Sequence, residues 1–185
     1  ASDTAVVVFE DCRIPLENLL GGPESTGFKG AMATFDSARP AVAAAGLGIA
    51  RAVIEFLKEE LERNGVKIRC GVPRRLLTAI ERDIVDMEAQ MKAAWMLVLK
   101  CAWLIDQAKP NTLESSMSKV KAGEAVTRIT QKGIELMGSM GYSRGLLLEK
   151  WMRDGKVIDL FEGTGQINRL VIARRILGYT GKELR

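Results

Sequence analysis

Glu162 follows the apolar pair Leu160 and Phe161 and precedes Gly163, Thr164 and Gly165. A carboxylate so placed can serve acid–base chemistry, or it can simply start the next helix, where the helix dipole favours a negative charge. The segment by itself leaves both uses open. The rest of the composition narrows the chemistry. There is no histidine, which removes Ser-His-Asp and Cys-His nucleophilic sites and the imidazole ligands of most zinc and non-haem iron centres. Carboxylates, Lys, Tyr and Cys remain. Cys12, Cys70 and Cys101 are odd in number, widely spaced and without a CxxC pair, so neither a disulfide framework nor a metal site is expected and a reducing compartment fits.

Long helices must position Glu162. Residues Thr4 to Phe9 are short and β-branched and read as one strand leaving into a turn at Pro15. A lone strand is not stable by itself, so this is expected to be the remnant of a preceding β domain. The glycine- and proline-containing loop from Gly21 to Gly27 separates it from a helical remainder. Phe28 to Ala38 reads as helix, and Pro40 is expected to mark a bend or break. Beyond it, Val42, Ala45, Ile49, Val53 and Phe56 recur at helical spacing as far as Arg63, with Gly65 placed to end the helix.

The clearest periodicity is Leu77, Ile80, Ile84, Met87, Met91, Ala94, Val98, Cys101 and Ile105, alternating steps of three and four. It predicts a packing seam on a helix from Pro73 to about Ala108, on the order of 50 Å long. Pro110 then gives a turn, and Asn111 with Glu114 reads as a capped start for a helix to about Met137. A break at 138–145, a short segment over 147–154 and a last amphipathic helix over about 164–177 complete the chain. The expected fold is therefore all-α: an up-and-down bundle of long helices over 26–185, preceded by 1–25 as one remnant β-strand and linker.

The 185 residues suit a single core. Twenty-seven basic against 23 acidic residues give +4, a mild excess spread along the chain rather than the clustered Lys and Arg with interleaved aromatics of a nucleic-acid binder. No apolar run approaches the roughly 20 residues of a membrane span, and the first residues lack the pattern of a signal peptide. A soluble protein is expected.

Several motifs stand in one register: Val7 to Asn18, Gly27-Phe28-Lys29, Phe35 to Pro40, Met137 to Tyr142, Met152 to Lys156, and Phe161 to Ile167. Together they resemble the acyl-CoA dehydrogenase family, over about the second half of a family chain. The resemblance implies an oxidoreductase that binds a fatty or branched acyl-CoA against flavin adenine dinucleotide (FAD) and introduces a 2,3-double bond. Glu162 matches the family's base in the medium- and short-chain type; the alternative base position, before the Arg of the Arg-Pro pair, is Ala38 here. Asp36, Arg39, Gly163 and Arg174 match positions that contact the acyl-CoA. Arg63, Glu135, Gly138, Ser139, Thr164 and Gln166 match positions around the flavin, often that of a neighbouring subunit.

The resemblance further implies a homo-tetramer or dimer, an electron acceptor such as an electron-transfer flavoprotein, and a bacterial cytoplasm or mitochondrial matrix. This half alone is expected to be inactive. Three departures stand out. Arg63 to Gly71 replaces the family's shorter Arg-x-Thr-Phe-Gly; the usual His-Gln falls on Leu77 and Thr78; and Glu135 stands where Gln is usual, a negative charge toward the flavin. The alternatives are members that keep the fold but not the reaction: a non-catalytic partner, which the altered flavin loop favours, or a flavin oxidase or monooxygenase, where Glu162 speaks against the oxidase type that has Asp at this position. A helical interaction scaffold is the reading from another class.

Overall fold

A computed structural model describes residues 5–21, 27–69, 71–180 and 183. Among the described residues five α-helices carry the fold: α1 Gly27–Arg63, α2 Ala79–Asp106, α3 Thr112–Met137, α4 Leu148–Leu160 and α5 Gly165–Leu177. Helix α3 packs against all four others, and α1 also against α2 and α4. Successive long helices alternate in direction, giving the expected all-α bundle. Its core is formed by Leu47, Val53, Ile54 and Leu57 of α1, Ile84, Met87 and Val98 of α2, Val126 and Ile129 of α3, and Leu148 and Ile158 around α4. Gly46 permits a close α1–α4 approach, since a Cβ there would meet Ile158 at 2.7 Å.

The expected remnant strand does not form: residues 5–9 have no regular structure and their side chains are exposed. A strand needs a partner ladder, and the described residues supply none. Thr4 and residues 22–26 of the adjoining loop lie outside the described residues.

Pro40 was expected to bend or break its helix, yet α1 runs through it without a stop. Proline lacks the N–H that would bond the carbonyl four residues back. That carbonyl, Asp36 O, instead accepts from Asn111 Nδ2 at 2.8 Å. The same contact overturns the capped start expected for α3. Asn111 occupies the N-cap position but its side chain makes no cap bond, while Glu114 pairs with Lys100 at 3.2 Å.

The predicted α2 seam is largely the buried face: Leu77, Ile84, Met87, Ala94, Val98 and Cys101 are buried, Ile80 and Met91 partly so, and only Ile105 is exposed. The helix is shorter than expected, about 42 Å, because Thr78 and Glu81 form a capping box that fixes its start. On α1 the buried face is Ala43, Leu47, Ala50, Val53, Ile54, Leu57 and Leu61, and Ala45 is exposed. Alanine and glycine on both sides of that helix made its apolar period ambiguous. By length and composition α1 also passes for a membrane span, contrary to the sequence expectation, and 44% of that stretch is buried inside the bundle.

Candidate active site

Helix α4 stops at Leu160 and α5 starts at Gly165, so the chain must turn within four residues. It does so through two successive left-handed positions, Glu162 at φ 55° and Gly163 at φ 91°. Gly163 adopts this freely, whereas Glu162 pays about 1–2 kcal/mol for it. The surroundings hold the turn. Arg39 Nε donates to the Glu162 carbonyl at 3.3 Å. The Gly163 carbonyl accepts from Lys119 Nζ at 3.2 Å and from Asn168 Nδ2 at 2.7 Å. Asn168 Nδ2 also reaches the Thr164 carbonyl at 3.1 Å. Thr164 caps α5, its hydroxyl accepting from Ile167 N at 3.3 Å.

The Glu162 side chain is half-buried. Its Oε2 is buried and meets no hydrogen-bond partner among the described residues. Arg39, nearly fully buried on α1, also pairs with Asp36 at 3.2 Å and has its guanidinium 5.7 Å from the Phe35 ring centre. The other Asp36 oxygen accepts from Thr112 Oγ1 at 2.6 Å, and Arg175 donates to that hydroxyl at 3.3 Å. Lys119 is buried on α3, and burial pushes its ammonium below the ordinary lysine value. Burial likewise pushes the nearby Cys101 thiol up.

Of the residues expected at the site, the fold brings together Glu162, Gly163, Arg39 and Asp36, with Thr164 adjoining. Arg174 is exposed on α5. Gln166, in the first turn of α5, borders an open polar groove of about 420 Å³ with Glu124, Arg128, Lys156, Asp159 and Arg169; Arg169 holds Glu124 at 2.6 Å. The other expected flavin positions lie elsewhere. Glu135, Gly138 and Ser139 are exposed at the far end of α3, with Glu135 about 24 Å along the helix from Lys119. Arg63, at the end of α1, is exposed and pairs with Glu59 at 3.6 Å and with Glu60. Glu135 is paired with Lys132 at 2.5 Å. Lys119, Asn168 and Thr112 escaped the sequence reading, and Asn111 was read as a helix cap rather than as the donor to Asp36 O. Only Asn168 carried a signal, one helical turn beyond the Thr164 cap.

The family model described as "Acyl-CoA dehydrogenase, C-terminal domain" matches residues 25–177. The mouse (Mus musculus) mitochondrial short-chain specific acyl-CoA dehydrogenase is 41% identical over 177 residues, which is 96% of this chain and 42% of that protein. The structure of butyryl-CoA dehydrogenase from Megasphaera elsdenii superposes with a TM-score of 0.79 at 34% identity, covering 92% of this chain and 43% of that one. A solved structure described as the electron transferring flavoprotein of Acidaminococcus fermentans gives a TM-score of 0.81 at 33% identity, over 92% and 44%. The chain spans less than half the length of the curated relatives it matches.

Proposed function

From the premise that this chain belongs to the acyl-CoA dehydrogenase family, as its C-terminal domain, we propose that the full protein is a flavin-dependent oxidoreductase that forms a 2,3-enoyl-CoA, with Glu162 as base. The observation that carries this reading is the buried, unpartnered Oε2 of Glu162. A glutamate kept only to start a helix would spend its carboxylate on the first N–H groups. Here Thr164 does that work, and Glu162 is left with a carboxylate oxygen committed to nothing among the described residues.

The chemistry suits such a group. A proton alpha to a thioester carbonyl is only weakly acidic, so the base must be shielded from water and aimed at it. Glu162 takes that proton, and the electron pair left at the α-carbon becomes part of the new double bond. FAD, when bound, supplies the acceptor for the hydride leaving the β-carbon. Asp36, Arg39, Gly163 and Arg174 line the acyl-CoA side, and Arg39 additionally fixes the base through its main chain.

The donors present fit a flavin. Thr164 accepts from Ile167 N and keeps its hydroxyl hydrogen to give, and Gln166 stands exposed beside it. The charge of Glu135 is neutralised by Lys132. Because Glu135, Gly138 and Ser139 sit at the far end of α3 and Arg63 at the end of α1, away from Glu162, they serve a second flavin, held with another subunit of a homo-tetramer or dimer. Val85, Trp95, Met96, Leu99 and Trp103 form an exposed apolar stripe on α2 that suits such an assembly. Electrons leave to an electron-transfer flavoprotein; the likeness to the Acidaminococcus fermentans structure supports a partner of that kind.

The test is the visible spectrum of the full-length protein, followed by anaerobic titration with straight-chain acyl-CoA thioesters. Flavin absorbance that bleaches as a 2,3-unsaturated thioester appears is the expected result. A protein without flavin absorbance, or one whose flavin no acyl-CoA reduces, would overturn the reading.

A further inference from the structure

Lys119 is 1% exposed, in a stretch of α3 otherwise filled by small and aliphatic side chains such as Ser115, Ser118, Ala122 and Val126. Burying an ammonium is costly, and an apolar side chain of the same length would fill the space more cheaply. Among the described residues it makes no ion pair. It donates a hydrogen bond to the Gly163 carbonyl, and its ammonium lies 5.9 Å from the centre of the Phe161 ring. Both contacts fall on the residues that flank Glu162. Arg39 grips the Glu162 carbonyl from the other helix, so the two carbonyls of the left-handed pair are each held by a buried cation, one from α1 and one from α3.

We propose that Lys119 is a positioning residue for the base: its buried ammonium, bonded to the Gly163 carbonyl and set against Phe161, holds the turn on which the Glu162 carboxylate is aimed. Asn168 shares the Gly163 carbonyl, but it sits on α5 and moves with the turn, whereas Lys119 ties the turn to α3 at the centre of the bundle. The negative groups nearest in charge, Asp159 and Glu162, favour the charged lysine, while Arg39 opposes it.

This inference rests on the reading of Glu162 as the base, and the experiment separates the two. In the full-length flavoprotein, Lys119→Met removes the charge and the donor and keeps the side chain's length. Loss of a buried charge should leave the melting temperature unchanged or higher. Hydrogen exchange should nevertheless rise in the peptide covering residues 160–168, with the peptides of α1 and α2 unaffected. Anaerobic flavin reduction by an acyl-CoA should slow by at least ~10-fold, with the half-saturating substrate concentration changed by less than about threefold, since misplacement by an ångström affects the reacting step before it affects binding. Lys119→Arg, which restores a cation, should recover part of the rate.

Unchanged exchange at 160–168 would overturn the proposal. So would a general rise in exchange with a lower melting temperature, which is the result for a lysine that only supports the core. A parent protein inert toward every acyl-CoA would remove the assigned reaction, and the exchange comparison would still decide whether Lys119 holds the turn.

Discussion

Asn111 Nδ2 donates to the carbonyl of Asp36 at 2.8 Å, the carbonyl that Pro40 leaves without its helical donor. The bond satisfies the carbonyl freed by Pro40, in the helical segment that carries Asp36 and Arg39, and Arg39 in turn meets the Glu162 carbonyl. Asn111→Leu should leave Asp36 O unsatisfied and cost about 1–3 kcal/mol. Chemical denaturation would measure the loss, and a variant as stable as the parent would show that Pro40 needs no such support.

Glu81 is held well below the usual carboxylate range, first by Arg69, whose guanidinium reaches both of its oxygens at 2.7 Å, and then by the Thr78 backbone. A lowered folded value stabilises the protein above the unfolded value of about 4.3 and loses that stabilisation as pH falls toward the lowered one. Arg69→Met should therefore lower Tm at pH 7 and lower it progressively less below about pH 4. A gap in Tm independent of pH would contradict the linkage. The bond also fixes Arg69 in the connection between α1 and α2.

The outer face of α2 carries Met96 at 64% and Trp103 at 53% exposure, more apolar surface than a solvated helix face needs. Met96→Glu with Trp103→Glu should shift the full-length protein toward smaller species, read as molar mass by light scattering at micromolar concentration. An unchanged mass would place the subunit contact elsewhere.

How far the sequence disclosed this arrangement differed from element to element. The α2 seam was legible because strict steps of three and four admit one helical face, and Phe161 to Ile167 was legible as a motif. The continuity of α1 through Pro40 was not, because the donor that satisfies the carbonyl Pro40 frees is Asn111, 75 residues further on. The face of α1 was misread where alanine and glycine lie on both sides. The residues around Phe9 have strand composition but no partner among the described residues. Lys119, between Ser118 and Val120 and two residues before Lys121, reads as a solvated lysine. Only the approach of Gly163, 44 residues later, reveals its use.

The central claim is that the Glu162 carboxylate removes the proton, and the rate of anaerobic flavin reduction in full-length Glu162→Gln tests it most directly. Gln keeps the size and loses the base, so acyl-CoA should still bind while reduction slows by about 10²-fold or more. Glu162→Asp, with the carboxylate drawn back by about an ångström, should fall between. Glu149→Gln, which alters a surface pair with Arg153, should leave the rate near the parent's. A Glu162→Gln protein that reduces its flavin as fast as the parent, with a confirmed acyl-CoA substrate, would contradict the assignment.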